Sequence, residues 1–563
     1  MSSTATKEAP SEPERRPPIL RRIFQVLLDW FVASRDPFKL RSTFLVLLAV
    51  ICGVTAFIGA VPTLIFGHDD FFILENGWRV LLGQRPQIDF WSSWGPVTFL
   101  VVALGLKLAK ASPNGIGYGN AIFGLLIGLW AYRLGRNRLA PVVRVLFPLY
   151  AVLLICAPYP LGESPKASSH AMLYNRYGYA LVVLVLVECF QAAREPKREL
   201  EDCLGGISTG AAAALALFLK ANFFLVSLPL IGASLILRRP ARKRVLGILL
   251  GFGLFAFLIL AYLRFDLPAV IHSLRTAASA RAQAFSPQVP IWVVEANPGL
   301  FFLVVAIGVT GSFLDRGKRT WRDELQLPLF AALVYLIEIA LLSTNRQGPV
   351  WPILPVFSLL VASRMAYRRT ESSPAILESR LPYHATLLLL CGLVFVPQFI
   401  SETAGLAVGA VRKAHPSQAK SPVRFTEPRL SSLILYDSPG ALKSSNGSVY
   451  TTYVNDGTAL LRRYCDSSDR VLTMDTTNPF PYSLGWQPPR GGIASPAFNY
   501  TISAKFRPSF DAFFGDATVV MMPKRPAGNP QYNDGFYAIY FPAILERFQL
   551  AAQSNWWDLY KRK

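Results

Sequence analysis

The sequence predicts a polytopic α-helical membrane protein carrying a C-terminal α/β domain, and three observations point that way. Mean hydropathy is +0.35 over 563 residues, 52% of them hydrophobic and only 16% charged, which is too apolar for one ordinary soluble domain. Apolar runs recur through the first 400 residues at lengths approaching the ~20 residues of a membrane-crossing helix. The basic residues behind the formal net charge of +22 sit in short clusters between those runs. They form no single patch with interleaved aromatics, so the charge marks membrane topology and not a nucleic-acid surface.

Residues 1–17 are polar and rich in Pro, Glu and Ser, a composition expected to be disordered, and 18–35 reads as an amphipathic helix lying on the membrane surface. No cleavable signal peptide is evident, so the first apolar run is expected to stay as an anchor. These segments make up a cytoplasmic N-terminus, 1–41. A transmembrane domain follows at 42–400, with spans expected near 42–66, 116–133, 145–157, 177–193, 204–220, 222–237, 245–263, 297–314, 326–343, 349–367 and 384–400. Several of these about eleven runs are short and must borrow flanking residues. The stretch 97–109 is apolar but short, holds Lys107, and runs into Ser112-Pro113-Asn114-Gly115. The basic clusters near Arg136, Arg198, Arg242, Lys318 and Arg368 all fall on the cytoplasmic side, with the Arg-rich N-terminus, only if 97–109 does not cross. It is therefore read as a juxtamembrane or re-entrant helix, which puts 67–115 and the C-terminal part outside.

The six cysteines show no CxxC pair and no His at metal spacing, which supports neither a disulfide framework nor a zinc site. Glu188 and Glu338 lie inside apolar runs, where a carboxylate is costly unless paired. Both are expected to join helices. Residues 401–563 read as a linker, Ser/Pro/Lys-rich over about 412–428, and an external α/β domain. Strands are expected at 470–474 and 517–521, and a helix near 538–552.

The segment "GHDDFFILENGWRVLLGQRPQIDFWSSWGP", 67–96, places two adjacent acids at the water boundary straight after the first apolar run. Acids beside a bilayer are costly unless water, a counter-ion or a substrate meets them. A helix N-terminus also favours them, so Asp69 and Asp70 have a capping alternative. Asp89 has one as a turn residue, and His68 reads as a polar interface side chain.

The order of a first span, the acids of Asp69-Asp70-Phe71-Phe72, then Gly77, Gly83, Pro86, Asp89-Phe90 and Gly95-Pro96 resembles the GT-C superfamily of membrane glycosyltransferases. That superfamily includes protein O-mannosyltransferases and lipid A aminoarabinose transferases. The resemblance carries motif content over roughly the first 220 residues. It implies transfer of a sugar from a polyprenyl-phosphate donor to a glycan, lipid or protein acceptor on the outer face of a bacterial inner membrane. By family position Asp69 is the base, and Asp70 orients the acceptor or holds a divalent cation. Substrate-binding positions carried over with it are Asp89, Arg176 and Lys220, and Arg346 joins them as a cation on the external side before a Pro-rich helix start. Such enzymes often have an acid shortly after the Arg, where this chain has Gly178-Tyr179. The alternative for each cation is a snorkelling base on lipid phosphate. Trp486, in the Pro/Gly/aromatic stretch 478–492, is expected either to grip a sugar face or to pack one α/β element on another. A lipid-linked saccharide flippase and a surface-polysaccharide polymerase or ligase are the competing functions. No repeat of transporter type supports the first.

Overall fold

The structure is a computed structural model that describes residues 37–192, 198–237, 242–284, 288–314, 321–345, 348, 350–371, 374–416, 423–438, 446–526 and 530–563. The helix expected at 18–35, and Arg346, lie outside those residues. The helices of the first part are α1 (Pro37–Ile58), α2 (Gly67–Leu81), α3 (Pro96–Leu108), α4 (Gly115–Gly135), α5 (Val143–Cys156), α6 (Leu173–Phe190), α7 (Arg198–Leu217) and α8 (Ala221–Leu237). They continue as α9 (Arg242–Tyr262), α10 (Leu267–Ala284), α11 (Gln288–Glu295), α12 (Pro298–Leu314), α13 (Trp321–Asn345), α14 (Leu354–Glu371) and α15 (Pro374–Ala414). Every expected span coincides with one of these. Among the described residues six are long and apolar enough to cross a membrane, and α11 with α12, bent by 75°, can count as a seventh. Several of the rest are shorter apolar helices, α3, α5 and α8 among them.

The first span is shorter than expected. Apolar character continues to residue 66, but the helix stops at Ile58 and Gly59 takes φ +57°. The backbone beyond is needed elsewhere: Thr63 donates its N–H to Ile434 O at 2.8 Å and accepts from the Tyr436 N–H at 2.8 Å, while Leu64 donates to Ser168 O. Tertiary hydrogen bonds from two distant segments replace the helical ones, as buried backbone groups must be paired.

Helix α3 turns back on α4. A Cβ on Gly105 would lie 1.9 Å from the Gly115 carbonyl oxygen, so only glycine admits this approach. One end of α3 is tied at Gly95, whose N–H reaches Leu219 O at 3.0 Å. The other is tied through Ala111 O to the Tyr482 hydroxyl and through Ser112 to Ser432.

Glu188 and Glu338 join helices. Arg138 and Arg244 close on Glu188 at 3.0 and 2.5 Å, and Thr209 donates to it. Glu338 accepts the Ile353 and Leu354 N–H groups at 2.5 and 3.1 Å, which caps the unsatisfied donors at the start of α14.

The C-terminal unit holds α16 (Gly447–Tyr464), β1 (Val471–Thr473), α17 (Phe480–Leu484), α18 (Phe510–Phe514), β2 (Val519–Pro523), α19 (Pro530–Arg547), β3 (Phe548–Gln553) and β4 (Trp557–Arg562). The sheet order is β1-β2-β4-β3, with β1 parallel to β2 and the other pairs antiparallel. Both expected strands are present, but the helix expected near 538–552 ends at Arg547 and 548–553 is strand. The chain reverses and pairs Phe548 with Arg562 and Gln553 with Asp558. Pairing to a neighbouring strand outweighs the local helix preference of Leu550-Ala551-Ala552.

Candidate active site

Helix α2 brings the acids to the place where the first span, the loop before α6 and the C-terminal unit converge. Phe66, at φ 56°, precedes it, and neither acid caps it: no side-chain bond reaches the N-cap position. Asp70 is fully buried and its Oδ2 accepts from Thr63 Oγ1 at 2.7 Å. The His170 backbone N–H also acts on this carboxyl and favours its charged form. Burial pushes the Asp70 carboxyl up to about 7, against the Thr63 hydrogen bond and with help from the Asp69 charge. Asp69 keeps a quarter of its side chain exposed and sits 3.5 Å from His68 Nε2. Burial raises its pKa as well, and His68 opposes the shift. One carboxylate of the pair is thus open to a reactant and the other is enclosed behind it.

Adjacent residues on a helix project about 100° apart and do not face each other. The two acids therefore make a poor chelate, and the described residues contain no group of three or more His, Cys, Asp or Glu that could hold a metal.

One turn beyond Asp69, Phe72 packs on Trp94 (ring centroids 4.8 Å apart), Trp94 on Tyr174 (5.3 Å), and Lys220 Nζ lies 5.0 Å over the Tyr174 ring. Lys220 donates to Asn345 Oδ1 at 2.6 Å and Asn175 Oδ1 at 3.1 Å, and Asn222 also reaches Asn345. A cavity of about 390 Å³ opens here between Trp94, Lys220, Asn222, α10 and Thr501. Gly95 places Trp94: a Cβ there would meet the Phe218 carbonyl oxygen at 1.9 Å, so the chain can enter α3 directly beneath the end of α7.

The other expected positions are placed differently. Arg176 is buried, 2.8 Å from Glu402, and also donates to Leu154 O and Tyr159 O. Where an acid was expected shortly after it, Gly178 instead lies under the Phe223 ring, which a Cβ would meet at 2.3 Å. The carboxylate comes from α15. Asp89 accepts the Arg85 N–H at 2.7 Å and closes a turn, while its carbonyl accepts from Gly491. Trp486 is 8% exposed, and its carbonyl accepts from Trp78 Nε1 at 3.0 Å.

Sequence reading missed several participants. Arg412 and Lys413, in the last turn of α15, reach Ser168 and the carbonyl of Ala60 with Asn114. They put two cations beside the segment that leads into Asp69, and the basic pair closing an apolar helix was the available signal. Glu75 and Arg79 form a buried pair at 3.3 Å. Glu75 accepts from the Tyr482 N–H, and Arg79 donates to Gln84 and to the carbonyls of Pro489 and Gly491.

The chain is similar to solved membrane glycosyltransferases of the GT-C type. ArnT from Cupriavidus metallidurans, solved bound to undecaprenyl phosphate, is 12% identical with a TM-score of 0.45, over 93% of this chain and 98% of that one. The arabinofuranosyltransferase AftD from Mycobacteria is 14% identical with a TM-score of 0.37, over 93% of this chain and 40% of that one. The oligosaccharyltransferase AglB from Archaeoglobus fulgidus, in complex with an inhibitory peptide and a dolichol-phosphate, is 13% identical with a TM-score of 0.30, over 67% and 56%. No family model matches the chain, and no curated protein does.

Proposed function

We propose that this chain is a membrane glycosyltransferase that moves a sugar from a polyprenyl-phosphate donor to a glycan, lipid or protein acceptor of the cell envelope. The observation that carries the reading is Asp69, a quarter exposed in front of the enclosed Asp70, set across the Phe72, Trp94 and Tyr174 rings from Lys220 and its cavity. The motif resemblance over 67–96 supports it.

In this reading the acceptor hydroxyl attacks the anomeric carbon as the bond to the phosphate oxygen breaks, and the lipid phosphate leaves with the electron pair. Asp69 takes the hydroxyl proton, since a raised carboxyl pKa makes it a stronger base than an exposed one. Asp70, neutral part of the time near pH 7, limits charge repulsion and keeps its hydrogen bond to Thr63. Lys220, on the far side of those rings, is the cation this reading assigns to the departing phosphate. Its asparagine contacts hold the ammonium in place. Arg176, paired with Glu402 at 2.8 Å, holds helices together.

Transfer by the purified full chain from a radiolabelled polyprenyl-phosphate sugar tests this. Asp69→Asn should lose about 10²–10⁴-fold in rate while donor binding persists, and EDTA should leave the parent rate unchanged. A fully active Asp69→Asn would remove the assignment. An outcome of lipid-linked sugar translocation without turnover would favour a flippase.

A further inference from the structure

The cavity beside Lys220 has a larger neighbour. The same three elements that wall it, residues 91–94, helix α10 and the loop running from Tyr500, continue outward into a second cavity of about 900 Å³. Trp94, Ala277 and Thr501 border the first; Trp91, Ser273 and Ala504 border the second. The larger space lies toward the C-terminal end of α2. Asp69 and Leu81 are separated along that helix by roughly 18 Å at 1.5 Å per residue, so the outer cavity is remote from the reacting acid.

Its lining is largely apolar, with polar and charged groups set into it. Trp91 is 8% exposed and Gln87 6%, and both line the space. Trp91 Nε1, a donor, and Gln87 Oε1, an acceptor, are buried without a hydrogen-bond partner. Leaving such groups unsatisfied costs about 1–3 kcal/mol each. Gln87 is also held at φ 71°, a conformation that costs energy in a non-glycine residue. Phe510 adds an apolar face, and Arg490, Lys505 and Arg507 give the rim its cations. Two carboxylates are present, but Asp511 is matched by Arg547 at 2.6 Å and Asp89 is bound within its own turn.

We infer that this cavity is a distal acceptor subsite that takes a negatively charged saccharide, its hydroxyls bonding Trp91 and Gln87, its ring face on the aromatics, and its anionic group at the Arg490, Lys505 and Arg507 rim. Saccharide hydroxyls both donate and accept, which answers an orphaned donor and an orphaned acceptor together. Aromatic faces supply rigid apolar contact, and the volume falls in the range of ligand sites. The inference rests on the proposed function for the role of the ligand as acceptor, and on the cavity alone for its binding.

Titration of detergent-purified full chain with tetragalacturonate, followed by tryptophan fluorescence and calorimetry, tests it against neutral maltotetraose. The anionic probe should saturate, and the neutral one should bind at least about tenfold more weakly. Trp91→Phe, which keeps the ring and loses the N–H, and the exposed Lys505→Gln should each weaken tetragalacturonate several-fold. Asp69→Asn should bind it as the parent does. No saturable binding, equal binding of both probes, or unchanged binding in both cavity variants would overturn the inference. Binding by a protein that transfers no sugar would sink the proposed function and leave the subsite standing; transfer without binding would do the reverse.

Discussion

At the residue scale, the consequence of enclosing Asp70 is a pH dependence of stability. Its carboxyl sits at about 7 in the fold against 3.8 for the free side chain. Between those values the folded chain holds a proton that the unfolded chain has lost. Stability therefore falls as pH rises through this window, by at most about 1.4 kcal/mol per pH unit for one group. His170, held by burial near 4 against 6.5, contributes the opposite slope between those limits, and raised Glu75 adds to that of Asp70. Asp70→Asn keeps an acceptor for Thr63 and removes the Asp70 part together with the repulsion between it and Asp69. Thermal unfolding of parent and variant from pH 4.5 to 7.5 should show the variant gaining relative stability toward the higher pH. A constant difference across the range would mean that Asp70 is not the proton holder.

At the element scale, α2 is clamped to the Pro/Gly stretch of the C-terminal unit by its own C-terminal half. Arg79 and Gln84 meet the carbonyls of Pro488, Pro489 and Gly491, Trp78 meets the carbonyl of Trp486, and Arg429 lies over the Trp78 ring. Breaking a buried ion pair by removing one partner costs about 3–5 kcal/mol. Arg79→Met should therefore destabilise by that order and expose 479–494 to limited proteolysis, whereas Lys505→Met, on an exposed side chain, should do neither. Equal protease resistance in Arg79→Met and the parent would show that the clamp does not hold the stretch. Trp486 belongs to this contact through its carbonyl.

On the scale of the whole molecule, the acids, the C-terminal unit and both ties of α3 share one face. The buried Arg138, Glu188, Arg244 and Glu201 cluster gathers at the far ends of α4 and α6. The 21 residues of α4 separate the two faces by roughly 30 Å, about the thickness of a bilayer core. With the basic loops cytoplasmic, reporter fusions after residue 112 should read external and those after 138, 198, 242, 320 and 368 cytoplasmic. A cytoplasmic reading at 112 with external readings afterwards would put Asp69 on the wrong face for a lipid-linked donor presented outside.

The helical membrane architecture, the location of its helices and the strands at 471–473 and 519–523 were legible in the sequence, because burial and backbone pairing in each element leave a local trace. An apolar run in lipid must satisfy its own backbone and so becomes a helix, and a short apolar run bounded by polar residues reveals a buried strand. The acids at Asp69 and Asp70 stood out for the same reason, as charges where local burial forbids them. Only the tertiary structure decided which acid faces outward, since that depends on Thr63 turning back from a span that ends early to pair with Leu435. Arg176 illustrates the limit: its type and place were legible, but its pairing with Glu402, 226 residues away, was not. Neither that pairing nor the meeting of Arg79 with the carbonyls near Gly491 has a local trace. Contacts between distant segments are set by how the elements pack, and the orphaned polar atoms of the outer cavity arise only where three of them meet.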